Sequence, residues 1–397
     1  MNLQNALTIE TNPQADDIEQ RLKLLIVRDL FQLKWDLKTN NGTFVISPPT
    51  EYAKDVVKQS MNFKRQEILI KNQIWINNHV NLLRDNLATG KEAFKSEIIP
   101  SIEVCTTDRQ HELFRICRYY WSSPYSDYVG RRIKLLVRDE AIENRPIIGI
   151  AALGSPIIHI PERDNWIEWD TKTRTNNLIF CMDAYVLGAM PPYNTMLGGK
   201  LIAYILASNE IRKIYKEKYE NICTNINNRI STNLVCLFTT SLYGRSSQYN
   251  RIQYNEKYLY NEIGKTKGFG SLHLTNETFL MMQNLLIQNN IIISNRFGDG
   301  PNWRMRVIRE ACDIIGINSD MLLKHSFKRN IYAIPLAENY KKILLGEEQQ
   351  PNYHNYPMKD LADYWRERWF NSRKKYLLQS GRINEINTFN PLEFTII

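Results

Sequence analysis

The sequence is short of what a metal centre or a disulfide framework needs. Its six cysteines, Cys105, Cys117, Cys181, Cys223, Cys236 and Cys312, form no C-x-x-C pair, and no histidine stands at zinc-finger spacing from them. They read as buried or incidental thiols of a reducing cytoplasm, and a structural zinc site is not expected. The opening MNLQNALTIETNPQADDIEQ has no basic segment followed by an apolar one, so no secretory signal is expected. The apolar runs are about strand length, too short for a transmembrane helix, and no amphipathic anchor stands out. Also missing are the G-x-S-x-G elbow, H-E-x-x-H, the kinase set, the Walker loop and the G-x-G-x-x-G fingerprint. There is no internal repeat and no low-complexity tract.

What is present is a globular chain of 397 residues, 43% hydrophobic and 23% charged, long enough for two or three domains. Its 51 Lys and Arg outnumber 42 Asp and Glu, a net charge of +9. That balance favours an anionic partner, nucleic acid before others.

The texture divides the chain into a helical N-terminal region at 1–100, an α/β core at 101–275, and a helical C-terminal region at 276–397. DDIEQRLKLLIVRDLFQLKWDL places Ile18, Leu22, Leu25, Ile26, Leu30 and Leu33 at helical spacing. SPPT at 47–50 reads as the start of a further helix that runs, with one break, to about residue 87. From residue 101, SIEVC, RICRYYW, RIKLLVRD and PIIGIAALG read as a strand meander. NNLIFCMDAYVLG, the helix after PPYNTMLGGK, and NLVCLFTTSL then form a strand–helix–strand crossover. ETFLMMQNLLIQ and NWRMRVIREACDIIG read as helices, NIYAIPL as a strand. EEQQPNYHNYP reads as a linker, and KDLADYWRERWFNSRKKYLL as a basic, aromatic last helix.

Gly198 and Gly199, followed by Lys200, stand where that crossover helix begins. Exposed amides and a positive dipole end suit an anion there, with Asn194 and Thr195 adding contacts. The competing reading is a helix packed close against its strand. GRSSQYNR, residues 244–251, follows the apolar strand. Arg245 and Arg251 suit phosphates, Ser246, Ser247, Gln248 and Asn250 suit hydrogen bonds to phosphate, sugar or base, and Tyr249 suits base stacking. A capped turn with solvated arginines is the alternative. Between Arg115 and Arg138 six cations interleave with Tyr119, Tyr120, Trp121, Tyr125 and Tyr128 against the single acid Asp127. Arg131 and Arg132 are the best contacts there. GKTKGFG offers Lys265 and Lys267 on a glycine-rich turn, and the neighbouring His273 reads as structural. Arg304, Arg306 and Arg309 do not form one stripe on their helix, and the charges of the last helix read first as solubility. Asp164, Glu168, Asp170 and Asp183 are the acidic candidates. They suit pairing with Arg163 or Arg174 better than a metal.

In this order, YWSSPYSDYVGRR, IIGIAALGSP, RDNWIEWD, MDAYVLGAMPPYNTMLGGKLIAYIL, SLYGRSSQYNR, IGKTKGFGSLHL and GPNWRMRVIREA resemble the Druantia anti-phage DruA family over about residues 115–375. The resemblance implies a bacterial defence component that works with a helicase-like partner; the basic balance and the basic loops add nucleic acid as its ligand, DNA before RNA. The strand, loop and helix order is also similar to the GNAT acyltransferase superfamily and its Mom-like members. That similarity implies a GNAT-like mixed sheet, acyl-CoA as cofactor at Asn194, Gly198, Gly199 and Lys200, and Asp183 or Tyr243 near a reacting amine. A third reading makes residues 1–100 a scaffold that recruits other defence proteins.

Overall fold

The computed structural model describes residues 6–11, 17–49, 52, 54–121, 130–223, 228–293 and 301–387. The first hundred residues are not only helical. β1 (Leu7–Glu10), β2 (Asp36–Asn40) and β3 (Thr43–Ser47) form an antiparallel sheet in the order β1-β3-β2 beside the helix Ile18–Gln32. The β2–β3 turn is Asn41-Gly42, with φ of 44° and 81°. Two left-handed residues in a two-residue turn match the twist of the flanking strands. Ser47 therefore closes a strand and opens no helix. The next helices are Lys54–Lys71 and Gln73–Arg84, with the expected break at Asn72.

The core is a seven-stranded mixed sheet. It contains β4 (Pro100–Val104), β5 (Arg132–Asp139), β6 (Ile147–Gly154), β7 (Cys181–Ala189) and β8 (Cys236–Thr240). After a small hairpin, β9 (Gln253–Tyr254) with β10 (Lys257–Tyr258), the chain adds β11 (Asn261–Lys265) and β12 (Asn330–Pro335). The order is β11-β12-β8-β7-β6-β5-β4, antiparallel except for β7 with β8. The parallel step is the expected crossover, through the helices Gly198–Leu206 and Asn209–Tyr219. RICRYYW is no strand: Arg115–Arg118 ends the helix Asp108–Arg118. Thr107 and Gln110 cap that helix reciprocally, and Leu113, Phe114, Ile116 and Cys117 are buried at its spacing.

One sheet face packs Ile133, Leu135, Val137, Met182, Leu237 and Ile334 against the Gly198–Leu206 helix and the C-terminal helices. The other meets the Asp108–Arg118 helix at one end, and the helices Pro161–Ile167 and Tyr340–Leu345 at the other. Residues 7–61 share a separate core with residues 274–327, while the Gln73–Arg84 helix packs on the Asp108–Arg118 helix.

β7 carries a bulge. Ala152 pairs with Val186 and Leu153 with Ala184, leaving Tyr185 between them. Of β7, only Cys181–Asp183 pairs with β8, and Thr239 Oγ1 donates to the Ala184 carbonyl at 2.8 Å where the two strands part. Among the described residues no helix is long and apolar enough to cross a membrane.

Candidate nucleic-acid interface

The Gly244–Arg251 loop leaves β8 and folds back on the sheet. Ser241 N donates to the Asn330 carbonyl at 2.8 Å, and Ser246 N to the Tyr332 hydroxyl at 3.3 Å. The polar side chains of the loop mostly turn inward. Asn250 donates to the Ser246 carbonyl at 3.1 Å and to the Tyr332 hydroxyl, and accepts from Arg245 Nε. Gln248 N is held by Ser246 Oγ at 3.2 Å, and its side chain lies against Gly199. Tyr249 is 8% exposed and stacks on Tyr260 at 5.3 Å, 8° from parallel. Burial pushes its hydroxyl up to about 12. Tyr249 is thus part of the core, where a stacking platform was expected. The groups left at the surface are Arg245, Ser247 and Arg251.

Two other segments meet this loop at the same end of the sheet. β11 ends at Lys265, and the turn to Gly270 is tied to the run before β12. Thr266 N donates to the Arg329 carbonyl at 2.9 Å, Arg329 N to Thr266 Oγ1 at 3.1 Å, and Ser326 N to the Gly268 carbonyl at 2.9 Å. A Cβ on Gly268, at φ +70°, would stand 2.6 Å from Phe327 N, so this turn requires glycine. A Cβ on Gly244 would stand 3.9 Å from Asn330 Oδ1 and 4.0 Å from the Lys328 carbonyl.

The three segments, 241–252, 264–275 and 324–330, contain no aspartate or glutamate. Arg245, Arg251, Lys265, Lys267, Lys324 and Lys328 are exposed along them, and Glu262 below is paired with Asn330. The sheet thereby builds a rim rich in cations, with Glu262 and, against Gly264, Glu162 at its β11 margin. Its third segment, KHSFKRN, escaped sequence reasoning. The signal was an acid-free run entering a strand, but only the β8–β12 pairing brings it beside the other two.

The glycine pair lies next to this rim, and its helix start is closed. A Cβ on Gly198 would meet the Tyr193 carbonyl at 2.8 Å and Ala189 Cβ at 2.9 Å. Lys200 is 6% exposed, donates to the Ser247 carbonyl, and lies 4.4 Å above the Trp369 ring. Burial, with Arg251 nearby, lowers its ammonium to about 8. Trp365 Nε1 donates to the Leu197 carbonyl at 3.2 Å, and Arg373 Nε to the Thr195 carbonyl at 2.9 Å. Asn194 Oδ1 accepts from Thr195 N at 2.9 Å. Trp365, Trp369 and Arg373 thus cover the turn at which the acyl-CoA pyrophosphate was expected. What the geometry displays is close packing.

Arg131 is also turned inward, to the carbonyls of Ile179 at 2.7 Å and Cys181 at 2.9 Å and to the Tyr215 hydroxyl. Arg132 is half-buried, and its carbonyl accepts from the Tyr219 hydroxyl at 3.1 Å. Tyr120 is buried, and Tyr119 packs beside Trp75. Tyr125, Asp127 and Tyr128 lie outside the described residues. Arg304 stacks 4.0 Å from the Phe279 ring, and Arg309 pairs with Asp320 at 3.3 Å.

The acidic candidates fall apart into separate duties. Asp164 takes Arg163, Arg174, His159 and Trp169; the Arg163 guanidinium beside it offsets burial and holds its carboxyl below the usual range. Asp170 caps the Thr171–Asn177 helix, and Glu168 closes the preceding helix in a left-handed conformation. Asp183 and Tyr243 pack in different neighbourhoods, Asp183 under Ile157 and Tyr243 against the N-terminal core. No three His, Cys, Asp or Glu converge as a metal set among the described residues.

The family model described as Druantia protein DruA matches residues 51–346. A Druantia protein DruA of Escherichia coli (strain UMEA 4076-1) is 36% identical over 321 residues, which are 80% of this chain and 79% of that protein. No solved structure matches the chain.

Proposed function

The chain belongs to the Druantia protein DruA family, and from that premise we propose that it is an anti-phage defence component that grips nucleic acid along the acid-free rim. The observation that carries this reading is the convergence of three acid-free segments at one end of the sheet, with six exposed cations and with Glu162 and Glu262 at the β11 margin. Cations in that array bind phosphates by releasing counterions, which makes affinity fall steeply with salt. The amide side chains that could read base edges, Gln248 and Asn250, face the protein. The reading is of exposed Arg and Lys gripping the phosphate backbone, suited to holding DNA for a helicase-like partner to act upon.

The test is a salt series on duplex DNA with wild type, Arg245→Ala/Arg251→Ala and Lys265→Ala/Lys267→Ala. Each double variant is expected to weaken binding on every sequence alike and to reduce the salt slope by about 1–2, near 0.9 per lost phosphate contact. Absence of wild-type binding at low salt, or unchanged slopes in both variants, would sink the reading.

A further inference from the structure

Directly behind two of the rim segments lies a basic cluster that phosphate binding does not use. His273 and His325 are 2% and 1% exposed, with ring centroids 5.3 Å apart. Trp35 stacks on His273 at 6.4 Å, and Tyr52 meets Phe327 edge-on at 4.2 Å. Lys64, 8% exposed, donates to the Leu272 carbonyl. Trp35, Tyr52 and Lys64 come from the N-terminal region. Leu272, His273, His325 and Phe327 come from the rim segments. These contacts seat the N-terminal helices against the rim.

The seat requires uncharged rings. His325 Nδ1 accepts from Phe327 N at 3.0 Å, which a protonated nitrogen cannot do. Neither ring nitrogen of His273 meets a partner in good hydrogen-bond geometry. The cations facing the pair are Lys64 and Arg329, and Arg304 lies near Lys64. The carboxylates on the packed helices are engaged elsewhere. Asp29 accepts from Thr275 N at 2.8 Å, Thr278 Oγ1 at 2.6 Å and Arg28, and Glu67 accepts from Asn276 N at 3.3 Å. Burial, His325 and Lys64 hold His273 well below its ordinary range, against a weak pull from the Leu322 backbone. Burial, then Arg329 and Lys64, lower His325 to about 3.

We propose that this seat is an acid-released latch: proton uptake by His273 and His325 frees the N-terminal helices, and a polyanion on the rim holds the latch closed. The second half rests on the nucleic-acid reading. The seated state binds fewer protons than the released one, because its imidazoles lie below the free value of about 6.5. The latch is therefore insensitive above about pH 6.5 and opens progressively as pH falls below it. Phosphates beside Lys324, Lys328 and Arg329 offset the cationic field on the same rings, so the seated state tolerates protons better.

Hydrogen–deuterium exchange on the full chain, corrected for intrinsic rates, tests this at pH 7.5, 6.5 and 5.5. Wild type is expected to lose protection in 54–71 and 271–286 on the order of tenfold between pH 6.5 and 5.5, while 132–154 stays protected. His273→Phe keeps the ring stack, and His325→Asn keeps an acceptor for Phe327 N. Each is expected to reduce the acid response, and a 30-base-pair duplex at low salt to restore wild-type protection at pH 5.5. An equal pH response in helices and sheet, or full acid sensitivity in both variants, overturns the latch. Bound duplex without restored protection overturns the coupling. Failure to bind duplex at all overturns the nucleic-acid reading, and the acid arm still decides the latch.

Discussion

Asp183 stands on the last residue pair before β7 and β8 part. Its Oδ2 accepts from Ile157 N at 3.0 Å, and its Oδ1 has no hydrogen-bond partner among the described residues. Burial raises its carboxyl to about 6, against the pull of Ile157 N and Arg163. A folded-state value above the unfolded one means that the native state holds the proton more tightly. This group therefore takes stability away as pH rises from about 4 through 6, and leaves it unchanged above. Asp183→Asn keeps an acceptor for Ile157 N and removes the buried charge. Urea unfolding at pH 8 is expected to show a gain of about 1–2 kcal/mol that vanishes near pH 4. Lys200 teaches the reverse lesson. Its charge beside two glycines was legible, but the direction of its ammonium depends on Ser247 and Trp369, which are 47 and 169 positions away in the chain.

At the scale of the element, regular periods were readable and mixed ones were not. The strands of the meander and the helix Ile18–Gln32 follow from uninterrupted patterns. RICRYYW was misread because β-branched and aromatic residues at the end of a helix look like a short strand. The deciding signal, Thr107 with Gln110, lies upstream of the quoted run. The Asn41-Gly42 turn was visible in the sequence too, between alternating residues, and outweighs the helical texture around it. Thr107→Ala removes the cap of a helix whose Phe114 and Cys117 are fully buried. It is expected to cost about 1 kcal/mol in urea unfolding, with no change in nucleic-acid affinity.

For the whole molecule, the topology assembled what no contiguous motif displayed. GRSSQYNR and GKTKGFG were each readable as basic turns, but KHSFKRN joins them only because β12 inserts between β8 and β11. The charges of the last helix were read first as solubility, and its aromatic side packs inward. Trp365, Phe370 and Leu377 complete the core above the Gly198–Leu206 helix, and Arg366 donates to the Glu97 carbonyl at 2.9 Å. A chain ending at Pro357 is therefore expected to lose cooperative unfolding by denaturant, not merely a charged tail. Retention of a wild-type midpoint would show that this cover is dispensable.

That cover has a consequence in time. The helix Gly198–Leu206, which covers one sheet face, is finished at Leu206, but the helices that cover it in turn end near Gln379. At roughly 5–20 residues per second, a ribosome takes about 10–40 s to make the intervening chain. Through that interval the nascent protein carries the uncovered apolar side of that helix, so its first partner in the cell is whatever shields it during synthesis.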